Sequence, residues 1–375
     1  MIDIETVDCF VFRYPLKEPV VTSFGTMRDR PMVLIRLRDK DGVVGWGEVW
    51  CNFPNVGAEH RARLVDDVFT PILKRETFDN IEAAFECLTV SSRILAIQTG
   101  EAGPIAQCIA GLDIALHDLV AKQDGLPLWR SLGGDRHQVP IYASGLSPDK
   151  PERLAEAALR DGYEAIKLKV GFGLELDHRN LKTLRKLLGP DRQLMTDANQ
   201  AWDIDEACYA ASSFEEYNLS WLEEAIAADR SEKEWAQLKR SAPMLLAGGE
   251  NLAGDHNFDA AIHQKVLSVI QPDLAKWGGL TKCVPLARRI IASGARYCPH
   301  YLGGGIGLVA SAHALAAVGG NGLLEVDANL NPLRTDLVGD MLSGSNGVAV
   351  LSKYPGLGVE PNLEDFKKYL VPHSW

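Results

Sequence analysis

Apolar positions along this chain change rhythm near residue 137. Before that point, alternating runs at residues 2–14, 31–38 and 43–50 predict three β-strands, the last two joined through Asp39-Lys40-Asp41-Gly42 as an antiparallel meander. The polar, Gly-containing stretches 18–30 and 51–58 are expected to be loops long enough to fold over something. Residues 59–98 are expected to be helical. A further helix follows Pro104, where Ile105, Ile109, Leu112, Leu116 and Leu119 share one face, and it stops at Asp124-Gly125. Beyond residue 137, short apolar strands alternate with amphipathic helices, the pattern of parallel β/α units. Strands are expected at 139–143, 164–170, 193–197, 219–223, 244–249, 266–272, 295–298 and 322–326. Eight such units predict a (β/α)8-type barrel with its chemistry at the carboxyl ends of the strands.

The predicted organisation is therefore an α+β capping domain (1–130, with loops 18–30 and 51–58), a barrel domain (131–344) and a C-terminal segment (345–375) that returns to the cap. A length of 375 residues and 46% hydrophobic content support a large core, one big domain and one smaller. A net charge of -11 and the lack of a basic run with interleaved aromatics argue against nucleic acid as a partner. No uninterrupted apolar run reaches the roughly 18 residues of a membrane span, and MIDIETVDCF does not read as a signal peptide. A cytoplasmic protein without membrane partners is expected. The seven cysteines are scattered and never form CxxC, so buried thiols are expected rather than a disulfide framework or zinc ribbon.

Chemistry concentrates at the predicted strand ends. Lys167 and Lys169 in AIKLKVG share one face of their strand, and mutual repulsion with partial desolvation would lower their pKa toward use as a base. Asp197, Glu223 and Glu250 end three consecutive strands, one barrel unit apart, so they meet at the mouth. Three crowded carboxylates would raise one another's pKa, and an oxygen-only set suits Mg2+ better than zinc. Asp273 and His300 end the next two strands, an arrangement in which a carboxylate fixes the imidazole tautomer and leaves the other nitrogen as a base. Glu325 closes the ring. Bases on both sides of a metal-polarised carboxylate suit removal of the proton beside that carboxylate. His117, His256, His263 and His313 are expected to be ordinary structural histidines. A lysine Schiff-base enzyme and a non-catalytic binding barrel are the competing classes, distinguished by borohydride trapping and by ligand binding without hydrogen exchange.

The ordered set GWGE (45–48), IAGLDIALHDLVAK, KLK, DANQAW, WLEE, AGGE, QPDLAKWGGLT, PHYLGGGIG and NPLR resembles the enolase superfamily, mandelate racemase subgroup, over nearly the whole chain. The resemblance implies a modified TIM barrel, (β/α)7β, with an N-terminal capping domain. It also implies Mg2+ on Asp197, Glu223 and Glu250, as superfamily sites in general pair a Lys or His base with Mg2+. Lys169 and His300 would be the opposed bases, Asp273 the partner of His300, Lys167 a contact to the substrate carboxylate, and Glu325 a hydrogen-bond partner of the enediolate. Asn199 and Trp50 would border the substrate, Glu224 would stand behind the ligands, and Arg28 and Arg30 would bind a second carboxylate beside the first loop. Ala225 departs from the proline usual after the two glutamates. The pattern looks like the acid-sugar branch, sugar-acid dehydratases and galactarolactone cycloisomerase. The implied activity is a Mg2+-dependent lyase or cycloisomerase on a sugar acid or lactone, with a racemase as the alternative and a homo-oligomer as the assembly.

Overall fold

A computed structural model describes residues 1–22, 25–342 and 346–373. The cap is an antiparallel sheet in the order β14-β1-β2-β3, with β1 at Ile2–Thr22, β2 at Gly25–Asp39, β3 at Val44–Val49 and β14 at Leu370–Val371. The expected loop 18–30 is instead the end of a long hairpin, in which Val20 pairs with Met27 and Val21 with Thr26. Residues 23–24 of that stretch lie outside the described residues. Its polar composition reads as loop because the register shift between Pro15 and Val20 interrupts the alternation of faces, so that Met27 and Arg30 are buried while Arg28 between them is exposed.

Residues 59–98 divide into α1 (Gly57–Leu64), a π turn (Val65–Phe69), α2 (Thr70–Arg75) and α3 (Ile81–Thr99). Pro71 lacks an N–H for the helical ladder, and a short β4 (Thr77–Phe78) leaves the helical path to pair with Ile2 and Asp3. α4 (Ala102–Gln123) is apolar and long enough to cross a membrane by composition, yet it is the central helix of the cap, with Ile105, Ile109, Leu112, Leu116 and Leu119 all buried.

α4 approaches β3 so closely that side chains are excluded between them. A Cβ on Gly47 would lie 2.1 Å from the Gly111 carbonyl oxygen, and one on Gly45 would lie 2.2 Å from that of Ala115. The same helix reaches the second domain through Asp113, whose carboxylate accepts from the Thr281 N–H (3.0 Å) and hydroxyl (2.6 Å).

The barrel strands are β5 (Gln138–Leu146), β6 (Ala165–Lys169), β7 (Gln193–Asp197), β8 (Trp221–Glu223), β9 (Leu245–Gly248), β10 (Val269–Ile270), β11 (Arg296–Tyr297) and β12 (Leu324–Asp327). They run parallel in that order, and β12 pairs with β5 so that the sheet curls upon itself. Helices of 10 to 15 residues follow the first seven strands, and only Pro332–Val338 follows the eighth. Each strand lies where its apolar run predicts, although several are shorter than the run. Tyr142, Met195, Trp221, Ala247, Val269, Cys298 and Leu323 fill the interior and form the floor of the site. Ile166, Leu168 and Val170 face the opposite way into the helical layer, as a period of two requires. The C-terminal stretch adds β13 (Val348–Val350) against β5 and returns to pair β14 with β1.

His313, buried in helix Gly305–Val318, receives the Trp129 N–H on Nδ1 (2.9 Å) and reaches the Leu357 carbonyl through Nε2 (3.1 Å). That pairing requires the neutral ring, and burial lowers its pKa from 6.5 to about 4. The unfolded chain therefore takes up a proton first as pH falls.

Two outcomes follow. Gly47→Ala should cost about 1–3 kcal/mol in urea unfolding, whereas Gly103→Ala, with open space around its Cβ, should be neutral or gain up to about 1 kcal/mol. The contribution of neutral His313 is fully present above pH 6.5 and is lost toward pH 4. The stability deficit of His313→Gln should therefore shrink by about 2 kcal/mol between pH 7.5 and pH 5.

Candidate active site

Parallel register brings the strand-end residues together. Lys169 stands beside Asp197, and Asp197 beside Glu223, across β6, β7 and β8. Lys167 is fully buried, with Nζ 2.6 Å from Glu223 Oε1 and 2.8 Å from Glu325 Oε1. Lys169 lies 2.6 Å from Asp197 Oδ2. The expectation of lysines with lowered pKa is reversed here. Burial opposes the charge on each, but Glu223 and Glu325 around Lys167, and Asp197 beside Lys169, outweigh it and raise both.

The expected carboxylate crowding is likewise uneven. Burial, with Asp197, Glu325 and Glu250 nearby, lifts Glu223 to about 7 despite Lys167. Asp197 and Glu250 are buried too, yet cations hold them below their usual range: Lys169 and Lys167 for the first, His300 and Lys276 for the second.

His300 Nδ1 meets Asp273 Oδ2 at 2.7 Å, while Nε2 lies 2.6 Å from Glu250 Oε2 and 3.8 Å from Glu325 Oε2. Asp273 is fixed in turn by the Ala275 and Lys276 N–H groups (2.9 and 3.1 Å). Burial alone would discharge the imidazole, but Glu250, Glu325 and the Asp273 bond hold its pKa well above the ordinary value.

Glu325 accepts from Lys167 and from the Ser144 hydroxyl and stays ionised, its pKa lowered against burial by Lys167 and His300. In that state it is an acceptor and not a donor. Its Oε2 is buried without a hydrogen-bond partner among the described residues.

Of these groups Lys169, Glu250, His300 and Glu325, with Asn199, line the barrel side of a cavity of about 1220 Å3 between cap and barrel, and Arg30, Trp50 and Asn52 line its cap side. Lys167, Asp197, Glu223 and Asp273 are buried behind that lining. Asn199 donates its N–H (2.8 Å) and Nδ2 (3.2 Å) to Asp197. Arg30 is buried and paired with Asp327 at 2.9 Å, which also receives Arg334. Arg28 is not brought to the cavity. It is exposed because the register shift between Pro15 and Val20 falls opposite it and breaks the alternation that would align it with Arg30. Glu224 is buried with φ +42°, and Asn251 Nδ2 donates to both its oxygens.

Three participants were missed by sequence reasoning. Lys276 Nζ lies 3.3 Å from Glu250 and 4.9 Å from the centre of the Trp50 ring. Gln271 donates to Glu223 Oε2 at 2.7 Å. Glu48 crosses from the cap to the loop after His300. Lys276 and Gln271 sit in the same QPDLAKWGG run as Asp273, and Glu48 is a lone acid in an apolar strand; both are legible marks of buried charge.

The other expected histidines behave as structural groups: His117 bonds Thr281, His263 bonds its own helix and His256 is exposed. Away from the cavity, ligand-type atoms of Cys9, Asp66 and His373 lie within 4.8 Å of one another. His373 and Asp66 form an ion pair at 3.0 Å, and burial drives the Cys9 thiol upward, so this grouping ties the C-terminal segment to the cap.

The charges test the fit of a cation. With every carboxylate ionised, Asp197, Glu223, Glu224, Glu250, Asp273 and Glu325 face Lys167, Lys169, Lys276 and protonated His300. Six acids against four cations leave two negative charges, reduced to one when buried Asp327 is counted with Arg30 and Arg334, and Glu223 and Glu224 are pushed toward their neutral forms. An all-oxygen donor set with that surplus fits one hard divalent ion.

Fold and site together define a capped β/α-barrel enzyme. Residues 5–133 match the family described as Mandelate racemase / muconate lactonizing enzyme, N-terminal domain, and residues 151–366 match Enolase C-terminal domain-like, so the chain belongs to this family of the enolase superfamily. It is 27% identical to D-galactarolactone cycloisomerase from Agrobacterium fabrum, over 98% of this chain and 99% of that protein. It is 32% identical to 3,6-anhydro-alpha-L-galactonate cycloisomerase from Streptomyces coelicolor, over 74% and 77%. Among solved structures, a mandelate racemase/muconate lactonizing enzyme from Bordetella bronchiseptica is 51% identical with a TM-score of 0.93, covering 98% and 99%. A racemase from Streptomyces coelicolor with bound magnesium is 29% identical with a TM-score of 0.87, covering 98% and 100%.

Lys167→Met should cost about 3–5 kcal/mol in urea unfolding, because two buried carboxylates lose their common partner. Lys169→Met, at a site 17% exposed with one close acidic partner, should cost less.

Proposed function

We propose that this enzyme removes the α-proton of a sugar acid or sugar lactone and then expels a β-oxygen, as a dehydratase or cycloisomerase. The observation that carries the reading is the placement of Lys169 and His300 around one cavity whose polar lining is only partly used. Glu325 Oε2 and Trp50 Nε1 are buried polar atoms without partners among the described residues, and both residues line that cavity. An acceptor and a donor left over in this way suit a hydroxyl-rich ligand better than an apolar one.

In this reading Lys169 Nζ takes the α-proton from one face, and Lys167, held between Glu223 and Glu325, presents its charge to the substrate carboxylate. His300, kept in one tautomer by Asp273, delivers a proton from Nε2 to the departing oxygen. Asn199 borders the substrate. Arg30 directs charge toward the distal end, and the hairpin and residues 51–58 of the cap select the substrate. Asp197, Glu223 and Glu250 would hold Mg2+, which would supply positive charge to the carboxylate oxygens. Engaging Asp197 and Glu250 in this way would release Lys169 and His300 from the ion pairs that raise their pKa, and so let Lys169 reach the neutral form that accepts a proton. The same pair of bases also serves a racemase, which needs proton transfer on both faces. That reading is retained because relatives include N-succinyl-L-Arg/Lys racemase from Bacillus cereus, 25% identical over 78% of this chain.

Proton NMR in D2O with Mg2+, across sugar acids, aldarates and their lactones, tests the proposal. A substrate should lose its α-proton signal and give a 2-keto or rearranged product, and chelator should abolish the change. Lys169→Ala and His300→Asn should each lower turnover by about 10²–10⁴-fold. α-Proton exchange confined to hydroxy or amino acids, without elimination, would replace this reading with the racemase.

A further inference from the structure

Glu48 does not line the cavity, yet it is 2% exposed and points out of the cap into the barrel. Its Oε1 accepts the Gly304 N–H at 2.5 Å and its Oε2 the Gly307 N–H at 3.0 Å. A cap carboxylate thus closes the N-terminus of helix Gly305–Val318, whose first N–H groups have no acceptor within the helix. The connection from His300 to that helix is Tyr301-Leu302-Gly303-Gly304. A second cap residue, Asn52, donates from Nδ2 to the Leu302 carbonyl. The glycines make this approach possible: a Cβ on Gly304 would lie 2.5 Å from Met32 Sδ and 2.7 Å from Glu48 Oε1, and one on Gly303 would lie 3.1 Å from Glu48 Oε1. By contrast Lys169 is held within the barrel, by strand pairing and by Asp197.

We infer that Glu48, assisted by Asn52, is a positioning residue for His300, so that the cap shares with Asp273 in aiming one base of the site while contacts within the barrel aim the other. The consequence is asymmetric: loosening the cap contact disturbs the His300 side and leaves the Lys169 side in place. The inference rests on the reading of His300 as a base only for its effect on turnover, and the geometry is tested without substrate.

The test is labelling of the histidines by diethylpyrocarbonate, followed by peptide mass spectrometry, in the wild type, Glu48→Ala, Glu48→Gln and Asn52→Ala. His300 should label about tenfold faster in Glu48→Ala, and less so in Glu48→Gln, which keeps an acceptor oxygen, as expected when one local hydrogen-bonded segment opens. Labelling of His117 and His263 should stay within about twofold, which general loosening of the fold would not allow. Where a substrate has been found, exchange on the His300 face should fall in the two Glu48 variants while exchange on the Lys169 face and KM persist. Unchanged His300 labelling in a folded Glu48→Ala overturns the inference. If that variant does not fold, unchanged labelling in both Glu48→Gln and Asn52→Ala overturns it. A wild type that exchanges no sugar acid removes the proposed function and leaves the labelling comparison to decide the role of Glu48.

Discussion

Six carboxylates are buried around the mouth of this barrel, and charge in a poorly hydrated site persists only where opposite charge or hydrogen-bond donors meet it. Lys167 is set between Glu223 and Glu325, Lys169 against Asp197, and His300 between Asp273 and Glu250. The ions shift one another in opposite directions. Asp197, Glu250 and Glu325 are held ionised, whereas Glu223 is lifted to about 7. The same network that makes the cluster tolerable also occupies Lys169 and His300, so the protonation of both side chains answers to whatever else binds the carboxylates.

The rest of the architecture serves to hold those groups in register. Parallel pairing carries Lys169, Asp197 and Glu223 to one level on neighbouring strands. The floor of Tyr142, Met195 and Trp221 keeps water out from below, and Trp221 Nε1 and Gln271 Nε2 both donate to Glu223 Oε2. From above, the cap is tied down by polar contacts at separate points: Asp113 to Thr281, Arg30 to Asp327, Glu48 to Gly304 and Gly307, and Lys276 against Trp50. These contacts place the cavity at the domain boundary. Cap and barrel are thereby joined around the cavity through one set of residues.

The family resemblance extends over both domains, but the superfamily shares a first step and differs in the second, so relatives at 27% and 32% identity do not name a product. What supports the proposed sugar-acid reading is what is left unused, an acceptor on Glu325 and a donor on Trp50, both residues lining the cavity.

Much of this was legible in the chain itself. Short apolar runs located all eight barrel strands, and the recurrence of Asp197, Glu223, Glu250, Asp273 and His300 every 23 to 27 residues placed them at successive strand ends, because a β/α unit has a nearly fixed length. The 18–30 hairpin was not legible, since a register shift between Pro15 and Val20 breaks the alternation that marks a strand. Nor was the break at Thr77–Phe78, which exists because Ile2 and Asp3, more than seventy residues away, pair with it. Arg28 and Arg30 look equivalent in sequence and part company at a register shift set by the opposite strand. The sequence alone determined which groups meet, through local periodicity and spacing. Their protonation, the roles of Lys276 and Glu48, and the division of the site between cap and barrel were decided only by tertiary structure, because charge coupling and hydrogen bonding depend on distances between residues remote in the chain.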